Sequence, residues 1–450
     1  MIRFAARSQS YLSRASILFG PLLGLLSFWI LSERDQQIVG FIAIWMVGWW
    51  ITECVPLWIP ALFPLAFPIV TELETIATLQ SFFHPVLLLF IGGFLLSKAT
   101  ENSGFHLAIA GRIGKNRQSG SKVFLYYLLL TAFLSMWISN SAACLLMIPL
   151  VRVISGSDKK VLKAFALGIA YAASIGGLAT LIGSPPNALF WAYSKEWGSQ
   201  ISFFQWMIQT GPFCLVSILV VWLYLGKIIF PSIWTAKFQL AGVTRPQLPR
   251  SMLGVYIVFL VGLALLSIGV FPIGENFWIF VVGVSLFLVR HQKQAVLKMT
   301  DLKTIPWSIL LIFAGGISLS HGLEKTGITA QLALLLHGLD GLPVPLVLFS
   351  IVVIFIFFTE FASNTAVAAI GIPLAAPLAE VLHLQPQQLA QAILFASSLS
   401  FMLPVATPPN AIAYAHGGFS AREMASVGWV MNLVFAVWIT AWVYFFPFGS

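Results

Sequence analysis

Three blocks of this sequence occur twice, in the same order and at nearly one spacing. "FIGGFLLSKATENSG" (Phe90–Gly104) returns as "FAGGISLSHGLEKTG" (Phe313–Gly327). "FLSMWISNSAA" (Phe133–Ala143) returns as "FFTEFASNTAV" (Phe357–Val367), and "LIGSPPNAL" (Leu181–Leu189) as "PVATPPNAI" (Pro404–Ile412). The offsets are 223, 224 and 223 residues. Three ordered matches at one offset point to duplication of half the chain. Each copy carries a polar triplet, Ser-Asn-Ser or Ser-Asn-Thr, and about 47 residues later a Pro-Pro-Asn element.

These polar elements sit in an apolar chain. Of 450 residues 59% are hydrophobic and 9% charged, and the mean hydropathy is +0.93. Soluble domains carry about 25% charged residues, so the composition is that of an integral membrane protein. The stretches Ile38–Ile51, Phe124–Ile138, Met207–Ile229, Leu253–Phe271, Ile309–Leu319 and Gly428–Phe446 are apolar all round. Many approach the ~20 residues that cross a bilayer as a helix, and about eleven crossings plus two shorter re-entrant pieces are expected. Arg3, Arg7 and Arg14 precede an apolar run, Ala15–Leu31, too long for a secretory leader and lacking a small-residue cleavage site. That run reads as a retained first helix with a cytoplasmic N-terminus.

The net charge of +9 lies in short loops, as the positive-inside rule expects, and is no nucleic-acid signal. Basic loops flank the first triplet on both sides: Gly111–Lys122 and Arg152–Lys160. The segment between them therefore enters and leaves on the cytoplasmic side, as a re-entrant hairpin with Ser-Asn-Ser at its tip. The flanks of the second triplet, His337–Pro345 and Ala379–Gln388, contain no Lys or Arg and are expected outside. The repeat is thus inverted. The expected division is a first half, 1–236, with scaffold helices, a hairpin over 123–155 and a broken helix over 161–194. A basic cytoplasmic linker covers 237–250, and a second half, 251–450, carries a hairpin over 345–378 and a broken helix over 388–416.

Consecutive prolines break a helix, and broken backbone at membrane depth persists only where it is buried in protein or lines a cavity. Helices restarting after the triplets and after the Pro-Pro pairs would aim N-terminal amides at an anion. Hydroxyls of Ser141, Thr365, Ser184 and Thr407 and the amides of Asn140 and Asn364 would add donors. Helix ends arriving at the same places would offer carbonyls to a hard cation such as Na⁺. Inverted repeats with broken helices favour a transporter over an enzyme. Asn187 and Asn410 suit either a ligand or the freed backbone. Pro56, Pro60, Pro64 and Pro68 are expected to kink an early helix. Glu53, Glu360, Lys98 and His321 are expected in interfacial or polar contacts, Glu360 with a lesser prospect of touching a cation. Cys54, Cys144 and Cys214 have no ligand or disulfide spacing and read as packing residues.

At these residues the sequence resembles the divalent anion:sodium symporter family, which includes sodium-coupled di- and tricarboxylate and sulfate transporters. "WWITECVPLWIPALFP" (Trp49–Pro64), "SFMLPVATPPNAIAY" (Ser400–Tyr414) and the two Ser-Asn-Ser/Thr triplets carry the resemblance, which runs over nearly the whole chain. It implies an all-α polytopic membrane protein with an elevator motion, working as a homodimer in the cell membrane. It implies one sodium site at Ser135, Ser139, Asn140 and Gly183, and another at Thr359, Ala362, Ser363, Asn364 and Ala406. It implies substrate contacts from Asn140, Ser141, Ser184, Asn364, Thr365, Thr407 and Pro408. Ser141 departs from the family's threonine, which keeps the hydroxyl and leaves the substrate open. The expected function is sodium-driven uptake of a C4-dicarboxylate such as succinate, fumarate or malate. The alternatives are sulfate or citrate as substrate, or sodium-independent exchange. A channel is disfavoured by the inverted repeat, and a membrane-embedded enzyme by the lack of a nucleophile–base or paired-Asp motif.

Overall fold

The computed structural model describes residues 16–110, 117–155, 158–199, 201–239, 249–329, 331 and 341–448. Arg3, Arg7, Arg14, half of Gly111–Lys122, most of the 237–250 linker and part of His337–Pro345 lie outside the described residues. The principal helices are α1 (Arg34–Thr52), α2 (Val86–Asn102), α3 (Gly120–Ser135), α4 (Asn140–Ser155), α5 (Lys159–Gly177), α6 (Pro185–Glu196), α7 (Phe203–Leu223) and α8 (Arg250–Ser267). They continue as α9 (Glu275–Ser285), α10 (Trp307–Lys325), α11 (Val344–Phe358), α12 (Asn364–Gly371), α13 (Ala375–Val381), α14 (Pro386–Ser398), α15 (Pro408–Gly417) and α16 (Ala421–Phe445). The few strands are two short antiparallel pairs in loops.

Among the described residues, five helices are long and apolar enough to cross a membrane, and the bent pair α12–α13, angled by 48°, makes a sixth span if counted as one. Several others are apolar but only 10–17 residues long, because the chain breaks its helices at the polar elements. The prolines after Thr52 do not kink one helix. Helix α1 ends at Thr52, and the chain runs on into a separate 3₁₀ segment, Pro60–Ala66, where lost amide donors matter least.

The Cα packing gives two compact units. The first gathers residues 1–84, 306–397 and 443–450, and the second residues 85–305 and 398–442. In the second unit α5 is the central element. It starts at Asp158, whose carboxylate accepts from the amides of Lys160 (2.8 Å) and Val161 (3.3 Å). From Ala164 to Gly177 every α5 residue is buried. The helix is rich in Ala and Gly, and small residues let neighbouring backbones approach closely. Helices α3, α4, α7 and α15 pack around it. A methyl group at Gly168 would come within 2.7 Å of the Leu128 side chain, and one at Gly176 would strike the Ala132 carbonyl.

The repeated Gly-Gly pair does the same work in each unit. In the second, α2 lies against α9, and a methyl at Gly92 would collide with the Ile279 carbonyl. In the first, α10 lies against the 3₁₀ segment, and a methyl at Gly315 would collide with the Ala61 carbonyl. Each unit therefore crosses a Gly-Gly helix over an element from the other half of the sequence.

Candidate functional site

Both triplets sit where a helix stops and another starts. Helix α3 ends at Ser135 and α4 begins at Asn140; α11 ends at Phe358 and α12 begins at Asn364. In the second unit, the buried Ser135 hydroxyl lies 2.6 Å from Asn140 Oδ1 and 2.7 Å from the Ala173 carbonyl. In the first unit, the buried Thr359 hydroxyl lies 2.8 Å from Asn364 Oδ1 and 2.8 Å from the Ser397 carbonyl. The sequence separations are 5 and 38 residues in both cases. Each tip thus has the same wiring: one hydroxyl stands between the asparagine amide and a carbonyl of the buried helix behind, and its single proton serves one of those two oxygens at a time. The serine that opens each triplet caps the new helix. Ser139 Oγ accepts from the Ala142 amide and Ser363 Oγ from the Ala366 amide, both at 3.2 Å.

The Pro-Pro-Asn elements are also wired alike, and both lie in the second unit. Asn187 Nδ2 donates to the carbonyls of Gly177 and Thr180, each at 2.7 Å. Asn410 Nδ2 donates to those of Ser400 (3.2 Å) and Leu403 (3.1 Å). Both side chains are fully buried. Their role in the structure is to satisfy the carbonyls left over where α5 and α14 end, as buried backbone demands. Asn187→Ala would leave the buried Gly177 carbonyl without this donor and the Thr180 carbonyl with the Gly183 amide at 3.3 Å. The expected result is a loss of about 1–3 kcal/mol of stability, seen as earlier thermal unfolding in detergent. Asn187→Asp should lose stability in the same direction, because a carboxylate cannot donate.

One expectation needs correction here. The starts of α6 and α15 do not present a fan of amides to an anion. Pro185, Pro186, Pro408 and Pro409 have no N–H, and the next amides are spent locally. The Asn187 amide donates to the Ser184 carbonyl at 3.1 Å, and the Asn410 amide to Thr407 Oγ1 at 3.2 Å. What those starts can offer is the helix dipole and the hydroxyls of Ser184 and Thr407, both buried N-caps in nearly identical extended conformations.

In the second unit the structure places Gly183 and Asn140 on opposite sides of Gly177. A methyl at Gly183 would lie 2.6 Å from the Gly177 carbonyl, and one at Gly177 would lie 2.7 Å from Asn140 Oδ1. Ser135, Asn140, Gly177 and Gly183 therefore form one close-packed group, with Ser139 exposed and Ser141 half-buried at its edge. Ala406, Thr407 and Pro408 lie in the same unit, and α15 packs on α4 as well as on α5. Thr359, Ala362, Ser363, Asn364 and Thr365 lie together in the first unit; Ala362 is buried and the triplet half-buried. Sequence reasoning missed Gly177, whose neighbour Gly176 and the Ala-rich run before it read simply as packing. Glu53, expected in an interfacial or polar contact, accepts from the Ser363 amide at 3.2 Å, a partner the sequence did not name.

The remaining chemistry is sparse. Lys98 pairs with Glu101 on its own helix at 3.4 Å. Glu360 is buried. The three cysteines are free, and among the described residues no group of three His, Cys, Asp or Glu side chains could hold a metal. Any cation held at the tips would have hydroxyl, amide and carbonyl oxygens, the ligand set of a hard monovalent ion rather than of a transition metal.

Comparison with known proteins agrees with this inventory. Residues 47–396 match the family model described as "Citrate transporter". The chain belongs to that family. It is 32% identical to the sodium-dependent dicarboxylate transporter SdcS of Staphylococcus saprophyticus, over 95% of this chain and 90% of that one. It is 31% identical, with the same coverage, to the SdcS protein of Staphylococcus aureus strain NCTC 8325. Its fold is similar to the crystal structure of the YdaH transporter of Alcanivorax borkumensis, with a TM-score of 0.63 over 84% of this chain and 92% of that one. At 15% identity that likeness shows the fold alone. This chain is an integral membrane protein of a transporter family, and the embedded-enzyme alternative is set aside.

Proposed function

We propose that this protein imports C4-dicarboxylates such as succinate, fumarate or malate by sodium-coupled secondary transport. The observation that carries this is the identical wiring of the two asparagines. Each has its amide oxygen within 2.6–2.8 Å of a buried hydroxyl. Each amide thereby stands at the start of a new helix, whose positive end favours an incoming anion. The family resemblance and the sodium-dependent dicarboxylate transporters among the relatives support the same function.

Neither triplet and neither Pro-Pro-Asn element contains Lys or Arg. Neutral donors alone hold a dianion weakly, so the missing positive charge is supplied by co-transported Na⁺. The proposed cation ligands are Ser135, Ser139, Asn140 and Gly183 in the second unit, and Thr359, Ala362, Ser363 and Asn364 in the first, with Ala406 a further one. The proposed dianion contacts are Asn140, Ser141, Ser184, Thr407 and Pro408 in the second unit, and Asn364 and Thr365 in the first. Alternating access of the elevator kind, an inverted repeat with two re-entrant hairpins, a homodimer and a cytoplasmic N-terminus complete the proposal.

The test is succinate uptake into proteoliposomes under three conditions: an inward Na⁺ gradient, K⁺ in place of Na⁺, and succinate preloaded inside. Saturable uptake that needs the Na⁺ gradient supports symport and excludes a channel. Uptake that needs only internal succinate would mean exchange and remove the sodium assignments. Citrate is the second candidate substrate, because the matched family is described by it; competition by citrate and sulfate ranks the three.

A further inference from the structure

The two tips share their hydroxyl–asparagine wiring and differ in their carboxylates: the second has the buried Glu360 where the first has Met136, and it is also reached by Glu53. Glu53 sits at the C-terminal end of α1 with left-handed backbone angles, φ 47° and ψ 29°. A non-glycine residue rarely adopts this conformation, and it persists only where surrounding contacts hold it. Here the Glu53 amide donates to the Trp49 carbonyl at 3.0 Å, the Thr52 hydroxyl to Gly48 at 2.8 Å, and the Trp50 indole to the Leu57 carbonyl at 2.9 Å. The turn aims the Glu53 side chain at the second triplet, where Oε1 accepts from the Ser363 amide at 3.2 Å, across 310 residues of sequence.

The contact has the form of half a capping box. Ser363 caps α12 through the Ala366 amide, and the reciprocal acceptor for the N-cap's own N–H normally comes from Glu or Gln at that third position. Ala366 cannot supply it, and Glu53 does so from the far end of the chain. At the first tip the corresponding residue, Ala142, is equally mute, and among the described contacts no carboxylate replaces it. Among the described residues, the second tip alone therefore has a carboxylate hydrogen-bonded to its triplet backbone, beside Ser363, Asn364 and Thr365 and in addition to the buried Glu360. Such a charge attracts a cation bound there and repels a dianion bound there.

We infer that Glu53 sets the balance between cation and dianion at the second tip: it raises the affinity for Na⁺, lowers the intrinsic affinity for the dianion, and so makes dianion binding depend on Na⁺. This rests on the sodium-coupled function proposed above. It is a charge effect acting on two ligands with opposite signs, which a purely structural contact would not produce.

Glu53→Gln separates the two roles, because the amide oxygen still accepts from Ser363 while the charge is gone. In sodium-driven succinate uptake the variant's half-saturating Na⁺ concentration should rise about three- to tenfold, the effect of one nearby charge in a wet, partly exposed site. Its KM for succinate at saturating Na⁺ should fall by about threefold. Glu53→Gly also removes the charge and eases the left-handed backbone; it should show the same opposed shifts, and it decides the matter if the glutamine variant inserts poorly. Parallel weakening of both ligands would overturn the inference in favour of a positioning role, and parent-like values in Glu53→Gln would overturn it outright. Failure of the parent protein to take up succinate with Na⁺ would overturn the proposed function itself, whereas a sodium-dependent parent with unopposed shifts in the variants overturns only the role of Glu53.

Discussion

Asn140→Ala and Asn364→Ala each reduce dicarboxylate uptake at least about tenfold and up to about 150-fold while the protein still inserts and folds. The size follows from what is removed. A hydrogen bond to a charged partner is worth about 1.5–3 kcal/mol, which is that range of affinity. The expectation of intact folding follows from the wiring. When Asn140 loses its amide, the Ser135 hydroxyl keeps the Ala173 carbonyl at 2.7 Å. When Asn364 loses its amide, Thr359 keeps the Ser397 carbonyl at 2.8 Å. In each case the hydroxyl keeps its carbonyl acceptor, so detergent-solubilised variants should unfold within a few degrees of the parent. Near-normal uptake by either alanine variant would remove that asparagine from the site.

Gly177→Ala abolishes uptake nearly as completely, from a position that is not itself a proposed ligand. Its methyl would lie 2.7 Å from Asn140 Oδ1, 3.0 Å from Nδ2 and 3.2 Å from Cγ. Real side chains do not pack that closely, so the amide must shift by several tenths of an ångström. Overpacking of this kind costs about 1–3 kcal/mol, and small misplacements of a binding group cost disproportionately in function. Gly254→Ala is the matched control. It lies inside α8 with open space for its added methyl. That change should leave uptake intact and stabilise the protein by up to about 1 kcal/mol through helix propensity. Uptake assays and thermal unfolding of the two variants side by side check both statements. Equal uptake by Gly177→Ala and Gly254→Ala would mean that Asn140 does not need its present position.

Much of this architecture is legible in the sequence because membranes make polarity expensive. A Ser-Asn pair or a Pro-Pro pair inside an apolar run has few explanations, and a helix restarts at each of these four elements. The duplicate blocks also carry their chemistry faithfully. Ser135 and Thr359 share no residue name, yet both supply a hydroxyl to the asparagine five residues on.

Other features could not be read this way. The choice between a ligand and the backbone for Asn187 and Asn410 depends on which carbonyls lie within reach, which only the fold decides. The silence of the Pro-Pro helix starts follows from two missing donors and a third one spent locally, a local count that the helix-dipole argument passes over. Glu53 meets Ser363 through a backbone conformation that no residue pattern announces. The duplication and the packing also cut the chain differently. The repeat is a matter of ancestry, while each compact unit gathers segments from both halves, because a Gly-Gly helix from one half needs a partner from the other.

The most direct measurement is succinate binding to the purified protein at low and at high Na⁺, with the converse titration of Na⁺ with and without succinate. If the dianion and the cation occupy the tips together, succinate affinity rises at least about tenfold with Na⁺, and Na⁺ affinity rises by the same factor with succinate, because coupling between bound ligands is reciprocal. Succinate affinity that stays flat across the whole Na⁺ range would contradict the claim that sodium supplies the positive charge these neutral sites lack.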